Sequence, residues 1–482
     1  MLELLPHQKM AVEKFRGIPA VFIGDSMGVG KTLTGVQRDL DIRAAWTPST
    51  KDSHFRTLIV CQKGGLSVWR WHLEQMGVSP DRILVVDPGD RSQFSVELDL
   101  GACNFDYYIV HWNALALLPG LMVPPRWHHV IADEIQYAKN PKTKRTRVFK
   151  KIPATYRTAI SGTPADDKPQ DFWSPLNWLY KKQFSSYWRF YNKYLKWHTH
   201  PNGFRVIDGV QNISDLHDQI RPYYIRRTLT EVIDDMPEKT HSEMRVQLTK
   251  RQRRDYNSME KYQRSLLGDD EQELVIIHKI AMYMRLLQMT MGTCEVDWSK
   301  YEAFWEKHRN TPQDELPKNA PQGPEVRILE PSPKLDTLME YIEEHPEEQF
   351  VVFTNFLDVV GMVLERCQKA GITTSHITGS VLSQTARVAA VADFQSGKAR
   401  VFVGTVKAAG TTITLTAAHT LIFLDRNWNP SVNEQAEDRI WRIGQKNACQ
   451  IIDIIADDTV DEPRLKKIWQ KAQAVKDVVN VK

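Results

Sequence analysis

A chain of 482 residues, 42% hydrophobic and 25% charged, is too long for one core and reads as two or three globular domains. Its 63 basic and 59 acidic residues leave a net charge of +4, so bulk charge picks out no partner. Any polyanion must meet a local cluster such as Lys142, Lys144, Arg145, Arg147, Lys150 and Lys151, a run that also suits a solvated helix face. Five scattered cysteines without C-x-x-C spacing argue against zinc and disulfides, and no apolar run reaches membrane-spanning length; a soluble, intracellular protein is expected.

In chain order, the first third alternates apolar runs with helical patterns. Strands are expected at Ala20–Ile23, Thr57–Cys61, Ile83–Val86, 107–110, 129–132 and 158–161, with helices at 31–40 and Leu66–Gln75 between them. That spacing predicts a parallel sheet covered by helices on both faces. Residues 171–310 are helical by periodicity and rich in aromatics, from Trp173 and Trp178 through Trp188 to Trp197. They suit the core of a helical insertion better than a base-stacking platform. Pro312, Pro317, Pro321, Pro324, Pro331 and Pro333 mark 311–333 as a surface connector. Alternation resumes with strands at 349–354, Thr374–Ile377, 401–404, 420–425 and 450–455, and a helix at 464–478 follows. The expected division is an α/β lobe over 1–172, helical insertions and an inter-lobe connection over 173–310, the connector over 311–333, a second α/β lobe over 334–463 and a terminal helix over 464–482.

The chemistry starts at Gly24-Asp25-Ser26-Met27-Gly28-Val29-Gly30-Lys31-Thr32, behind an apolar strand. Glycines at 28 and 30 let backbone N–H groups approach phosphate oxygens, and the following helix points its positive end at them. Lys31 reaches the β- and γ-phosphates and the Thr32 hydroxyl ligates Mg²⁺. The general loop pattern has glycine where Asp25 stands. About a hundred residues on, an apolar strand on a neighbouring position ends in Asp133-Glu134, with Asp133 expected to bind Mg²⁺ and Glu134 to polarise the attacking water. Arg439 and Arg442, three apart, would share one helix face and serve as arginine fingers; pairing with Glu437 or Asp438 is the plainer alternative. A site built from two lobes would turn hydrolysis into motion.

Taken together, these residues resemble the Snf2 (Swi2/Snf2) family of superfamily 2 helicase-like ATPases. Asp25 to Thr32 is similar to its D-E-M-G-L-G-K-T, Leu5-Pro6-His7-Gln8 to its adenine-reading Q motif, and Asp133-Glu134-Ile135-Gln136 to its D-E-G-H. Ser161-Gly162-Thr163-Pro164 resembles the coupling motif, and Gly404-Thr405 to Gly410 resembles motif V. Asp425-Arg426-Asn427-Trp428-Asn429-Pro430 resembles D-x-x-W-N-P, and Gln435 to Gln445 follows Q-A-x-x-R-x-x-R-x-G-Q. Departures are Gln136 for histidine, expected to loosen coupling, Ser26 for glutamate, and Thr411-Thr412 in a glycine-rich run.

The resemblance implies two RecA-like doubly wound parallel-sheet lobes and a bare, monomeric motor of the compact annealing-helicase or viral and bacterial kind. It implies ATP and Mg²⁺ held by Gln8, Asp25, Met27, Gly28, Val29, Gly30, Lys31, Thr32, Asp133 and Gly410. Double-stranded or branched DNA would be held by Lys63, Gly64, Gly162, Thr163, Thr354, Asn355, Thr378, Gly379, Thr405, Lys407 and Trp428. The implied activity is ATP-driven translocation on duplex DNA; a strand-separating DNA or RNA helicase and a nucleotide-gated scaffold are the alternatives.

Overall fold

The computed structural model describes residues 2–48, 54–86, 105–118, 127–200, 203, 205–266, 273–309, 311, 317, 325–379, 384–409 and 413–481. The chain forms two units. The first comprises Met1–Met236, Asn429–Ser431 and Trp469–Lys482; the second comprises Pro237–Trp428 and Val432–Ile468.

Strands of the first unit are β1 (Ala20–Ile23), β2 (Thr57–Cys61), β3 (Ile83–Val86), β4 (Tyr107–His111), β5 (Trp127–Asp133), β6 (Ala154–Ile160), β7 (Leu195–Thr199), β8 (Arg205–Val210) and β9 (Tyr224–Ile225). Seven of them make a sheet in the order β3-β4-β2-β5-β6-β1-β9, with every pairing parallel. Side chains alternate across a strand, so each apolar run feeds two cores. Phe22, Leu58, Val60, Tyr108, Val130 and Ala132 enter one of them. Val21, Ile23, Ile59, Ile109, Ile131 and Ile160 enter the other, against Leu33 and Val36 of helix Lys31–Ala45 and Trp69 and Leu73 of helix Leu66–Gln75. Burying one such aliphatic side chain fully contributes about 1.5–3 kcal/mol, which is why continuous runs survive here where alternation would serve a half-exposed sheet.

Strands of the second unit are β10 (Lys239–Val246), β11 (Thr293–Asp297), β12 (Glu325–Leu329), β13 (Phe350–Thr354), β14 (Thr374–Ile377), β15 (Val401–Thr405), β16 (Thr420–Phe423) and β17 (Cys449–Ala456). Its parallel sheet runs β10-β17-β16-β13-β15-β14. Phe350, Val352, Val401, Val403, Ile422 and Ile452 line one face; Val351, Phe353, Phe402, Leu421 and Ile451 line the other. The last helix, expected at 464–478, runs Asp461–Val479, with Asp461 and Glu462 in the first turn, where carboxylates suit the helix dipole.

Two expectations change. Residues 173–310 are not one insertion with its own core: Trp173, Trp178, Phe184, Phe190 and Tyr194 complete one face of the first sheet together with Phe149 and Phe172. The same stretch carries the antiparallel hairpin β7–β8, and the first unit continues to Met236. Lys239–Val246 then becomes an edge strand of the second sheet. Nor is 311–333 connector throughout, because Glu325–Leu329 pairs antiparallel with β11. Among the described residues no helix is long and apolar enough to cross a membrane, and no cluster of His, Cys, Asp and Glu could hold a metal by itself.

Candidate active site

In the first sheet β6 lies between β5 and β1, and all three strands are parallel. The loops following β1, β6 and β5 therefore leave one edge side by side. The strand before the phosphate loop and the strand ending in Asp133 are not neighbours, as the sequence reading had them; the strand leading to Ser161-Gly162-Thr163 separates them. Ligands of open parallel sheets collect at this carboxyl edge.

The phosphate loop is fixed from behind. Gly28 (φ 78°) and Gly30 (φ 80°) are left-handed, a conformation an L side chain adopts only at a cost. Gly30 caps the helix Lys31–Ala45, and a Cβ there would run into the Gln8 side chain. Gln8 Nε2 donates to the Gly30 carbonyl at 3.1 Å and its Oε1 accepts from Leu5 N at 2.8 Å, while His7 Nε2 lies 3.0 Å from the Val29 carbonyl. Gln8, expected at the adenine, is buried and commits much of its amide to the loop.

Asp25 has a similar fate. Its buried carboxylate accepts from Arg227 N (2.9 Å), Nε (3.1 Å) and Nη2 (2.5 Å), and Arg227 Nη1 donates to the His7 carbonyl. Arg226 Nη1 donates to Gly24 O (2.6 Å) and Gly162 O (3.1 Å). The two arginines follow β9, which pairs with β1 through Phe22↔Tyr224 and Ile23↔Ile225. An aspartate thus stands where the general loop has glycine because this loop is clasped by an arginine. The resemblance extends over Arg226-Arg227-Thr228 between the lobes, but sequence reasoning assigned the two arginines no role.

At the mouth of the loop, Lys31 Nζ donates to the Ser26 carbonyl at 2.8 Å. Burial lowers its pKa, against the opposing pull of Glu134, Asp25 and Asp133. Asp133 Oδ2 accepts from Trp69 Nε1 and its backbone carbonyl from Trp112 Nε1, both at 2.8 Å. Burial, and then the Glu134 charge, push the Asp133 carboxyl up to about 7. Glu134 itself is left-handed (φ 52°), turning the chain immediately after the strand.

Gln136 ties the acids to the neighbouring loop. Its Nε2 donates to Glu134 Oε2 (2.5 Å) and Thr163 Oγ1 (3.3 Å), its Oε1 accepts from Ser161 Oγ (2.6 Å), and Ser161 Oγ accepts from Thr163 N (3.0 Å). At Gly162 a Cβ would lie 2.8 Å from Met27 Cγ and 3.3 Å from Lys31 Nζ. Gly162 thus backs the phosphate loop, a position other than the DNA contact expected for it.

These residues fit a triphosphate with a divalent cation. Two left-handed glycines and a helix N-terminus supply N–H groups, Lys31 supplies the ammonium, and the buried Ser26 Oγ has no hydrogen-bond partner among the described residues. Thr32 starts the helix beside them, and Asp133 is a buried carboxyl whose desolvation a cation would offset.

In the second unit, Arg439 and Arg442 do not share a helix. The helix Pro430–Glu437 ends before them, and 3₁₀-type bonds from Arg439 N to Ala436 O and from Ile440 N to Glu437 O turn the chain. The two guanidinium groups converge nonetheless: Arg439 Nη1 lies 3.4 Å and Arg442 Nη1 3.2 Å from the Ile413 carbonyl, and Arg442 Nη1 donates to Thr414 Oγ1 at 3.0 Å. Of the two alternative partners, Glu437 is engaged by Arg426 (2.8 Å) and Lys239 (3.2 Å), whereas Asp438 acts electrostatically on both Arg439 and Arg442. Gly410, Thr411 and Thr412 lie outside the described residues.

The expected DNA contacts separate by exposure. Lys63, Gly379 and Lys407 are exposed, and Gly64, Asn355, Thr405 and Trp428 are half-buried. The side chains of Thr163, Thr354 and Thr378 are buried. Thr354 Oγ1 donates to Asp425 Oδ1 (2.6 Å), and Asp425 also accepts from Asn355 N (2.9 Å) and Nδ2 (2.5 Å). Trp428 packs 5.1 Å from the Tyr283 ring, with the Arg464 guanidinium 5.3 Å from its own.

Comparison with known proteins places the chain in a family. The family model for the SNF2-related domain matches residues 8–296, and that for the helicase conserved C-terminal domain matches residues 333–444. The chain is 25% identical over 466 residues to the putative ATP-dependent helicase/translocase YwqA of Bacillus subtilis, covering 95% of this chain and 46% of that protein. It is 23% identical over 461 residues to the ISWI chromatin-remodeling complex ATPase ISW1 of Saccharomyces cerevisiae, covering 94% and 38%. The chain therefore spans less than half the length of these curated relatives. Among solved structures, the Sulfolobus solfataricus SWI2/SNF2 ATPase core in complex with dsDNA matches with a TM-score of 0.41 and 22% identity, over 100% of this chain and 98% of that one.

Proposed function

This chain belongs to the SNF2-related domain family, and from that premise we propose that it hydrolyses ATP to move along double-stranded DNA without needing to part the strands. The observation that carries the reading is the grouping of Lys31, at the start of its helix, with Asp133 and Glu134, at the end of β5, at one edge of the first sheet and around glycines shaped for phosphate.

Backbone N–H groups of the Gly28–Gly30 turn and the Lys31 ammonium bind the phosphates, and the helix Lys31–Ala45 adds its positive end. Thr32 and Asp133 would hold Mg²⁺, whose charge neutralises phosphate oxygens. Glu134 orients the attacking water and receives its proton. Gln136 holds Glu134 in place while linking it to Ser161 and Thr163. Arg439 and Arg442 are the proposed stabilisers of transition-state charge on the triphosphate, a contribution worth ~10³–10⁵ in rate where such arginines act. DNA is gripped at its phosphates by exposed residues such as Lys63 and Lys407, because a motor must hold every sequence alike.

Phosphate release measured with and without linear duplex DNA tests the reading. Stimulation by duplex that Lys31→Ala abolishes is expected; a rate indifferent to DNA would refute it.

A further inference from the structure

Between Asp171 and Asp208 the sequence holds six lysines and arginines and no acid. That stretch contains the helix Tyr187–Tyr194 and the hairpin β7–β8 of the first unit. Lys193 pairs with Asp215 and His198 with Asp208, whereas Lys181, Lys182, Arg189, Lys196 and Arg205 have no carboxylate partner among the described residues. Most of the aromatics here serve the core, but one group does not. The Arg205 guanidinium lies 4.1 Å from the Trp197 ring, 4.6 Å from Trp188 and 5.7 Å from Tyr191, and Trp188 is 56% exposed.

Trp188 and Tyr191 are three apart on one helix face, with ring centroids 5.6 Å apart, while Arg205 and Trp197 come from opposite strands of the hairpin. Two elements thus hold an exposed indole and a guanidinium against each other. A surface on which Asp208 and Asp215 are paired and five further cations have no carboxylate partner among the described residues carries excess positive charge and suits a polyanion. Charge alone would suit duplex phosphates, but a flat exposed ring beside a flat cation offers a stacking surface. Away from its ends a duplex has no free base face to place there, whereas an unpaired base does.

We propose that the Trp188–Arg205 platform binds unpaired polynucleotide, with a base stacked on the indole and the backbone drawn to the surrounding cations. The platform lies outside every motif assigned to the motor, and the proposal does not rest on the motor reading.

The test uses the full chain and fluorescence anisotropy with a labelled single-stranded DNA, the same sequence as RNA, and a blunt duplex. Trp188→Ala should weaken single-strand binding roughly five- to a hundred-fold. Trp188→Phe should keep most of the affinity, and blunt-duplex binding and duplex-stimulated phosphate release should be unchanged. Tighter binding of the DNA or of the RNA strand identifies the source of the unpaired segment. Equal losses on single strand and duplex, no loss at all, or competition by polyglutamate as effective as by an oligonucleotide would overturn the proposal.

Discussion

The side-chain amide of Gln136 donates to the Glu134 carboxylate at 2.5 Å and also reaches Thr163, while its oxygen accepts from Ser161. It bolts the end of β5 to the loop after β6. Histidine at this position was expected to couple more firmly than glutamine, yet the amide supplies a donor and an acceptor at once and does not titrate near neutrality. Gln136→Ala should lower DNA-stimulated phosphate release roughly ten- to a hundred-fold, in the range seen when a partner orienting a reactive group is removed. Gln136→His should retain most of the rate and gain an inflection near pH ~6.5 that the natural residue lacks. A pH–rate profile of the three proteins checks both.

Lys31→Ala and Glu134→Gln should fail differently. Losing the ammonium removes phosphate binding, so a fluorescent ATP analogue should dissociate. Losing the carboxylate spares binding but should cost roughly 10²-fold or more in turnover. Wild-type turnover in Glu134→Gln would remove that residue from the chemistry.

Asp25 and Arg227 form a buried pair 202 positions apart in sequence. Removing one partner leaves the other charge uncompensated, so Arg227→Ala should destabilise the first unit by about 3–5 kcal/mol. Adding Asp25→Asn should recover part of that loss, a non-additivity that a double-mutant cycle in urea detects.

Acid should unfold the second unit through Glu437. Burial pushes this carboxyl up, but Lys239 and Arg426 outweigh burial and hold it at about 2, below its ordinary 4.5. The folded value is depressed, so the stabilisation is complete above pH 4.5 and is lost as pH falls toward 2. By itself the shift corresponds to about 3 kcal/mol; Asp453, which burial raises despite Arg426, offsets some of it. Glu437→Gln should melt well below wild type at neutral pH, and the gap should narrow toward pH ~3. A gap independent of pH would contradict the assignment.

Strands such as Ala20–Ile23 and Thr57–Cys61 were legible to the residue because fully buried parallel strands write uninterrupted apolar runs between turn signals. β9 has two residues, and β10 is a charged edge strand, Lys239 to Val246, with an exposed face; neither carries that signature. The phosphate loop and Asp133-Glu134 were legible because their chemistry is local. Their supports were not. Trp69 reaches Asp133 across 64 positions, and Arg226 and Arg227 reach Gly24 and Asp25 across 202. The helix expected under Arg439 and Arg442 ends at Glu437, where 3₁₀-type bonds from Arg439 N and Ile440 N take over from the helical ladder.

Movement along an intact duplex is tested most directly by displacement of a third strand from a DNA triplex. The account predicts ATP-dependent release of the third strand, absent in Glu134→Gln, with the two strands of the underlying duplex still annealed. Unwinding of a forked duplex with the triplex left untouched, or ATP consumption that displaces nothing, would contradict it.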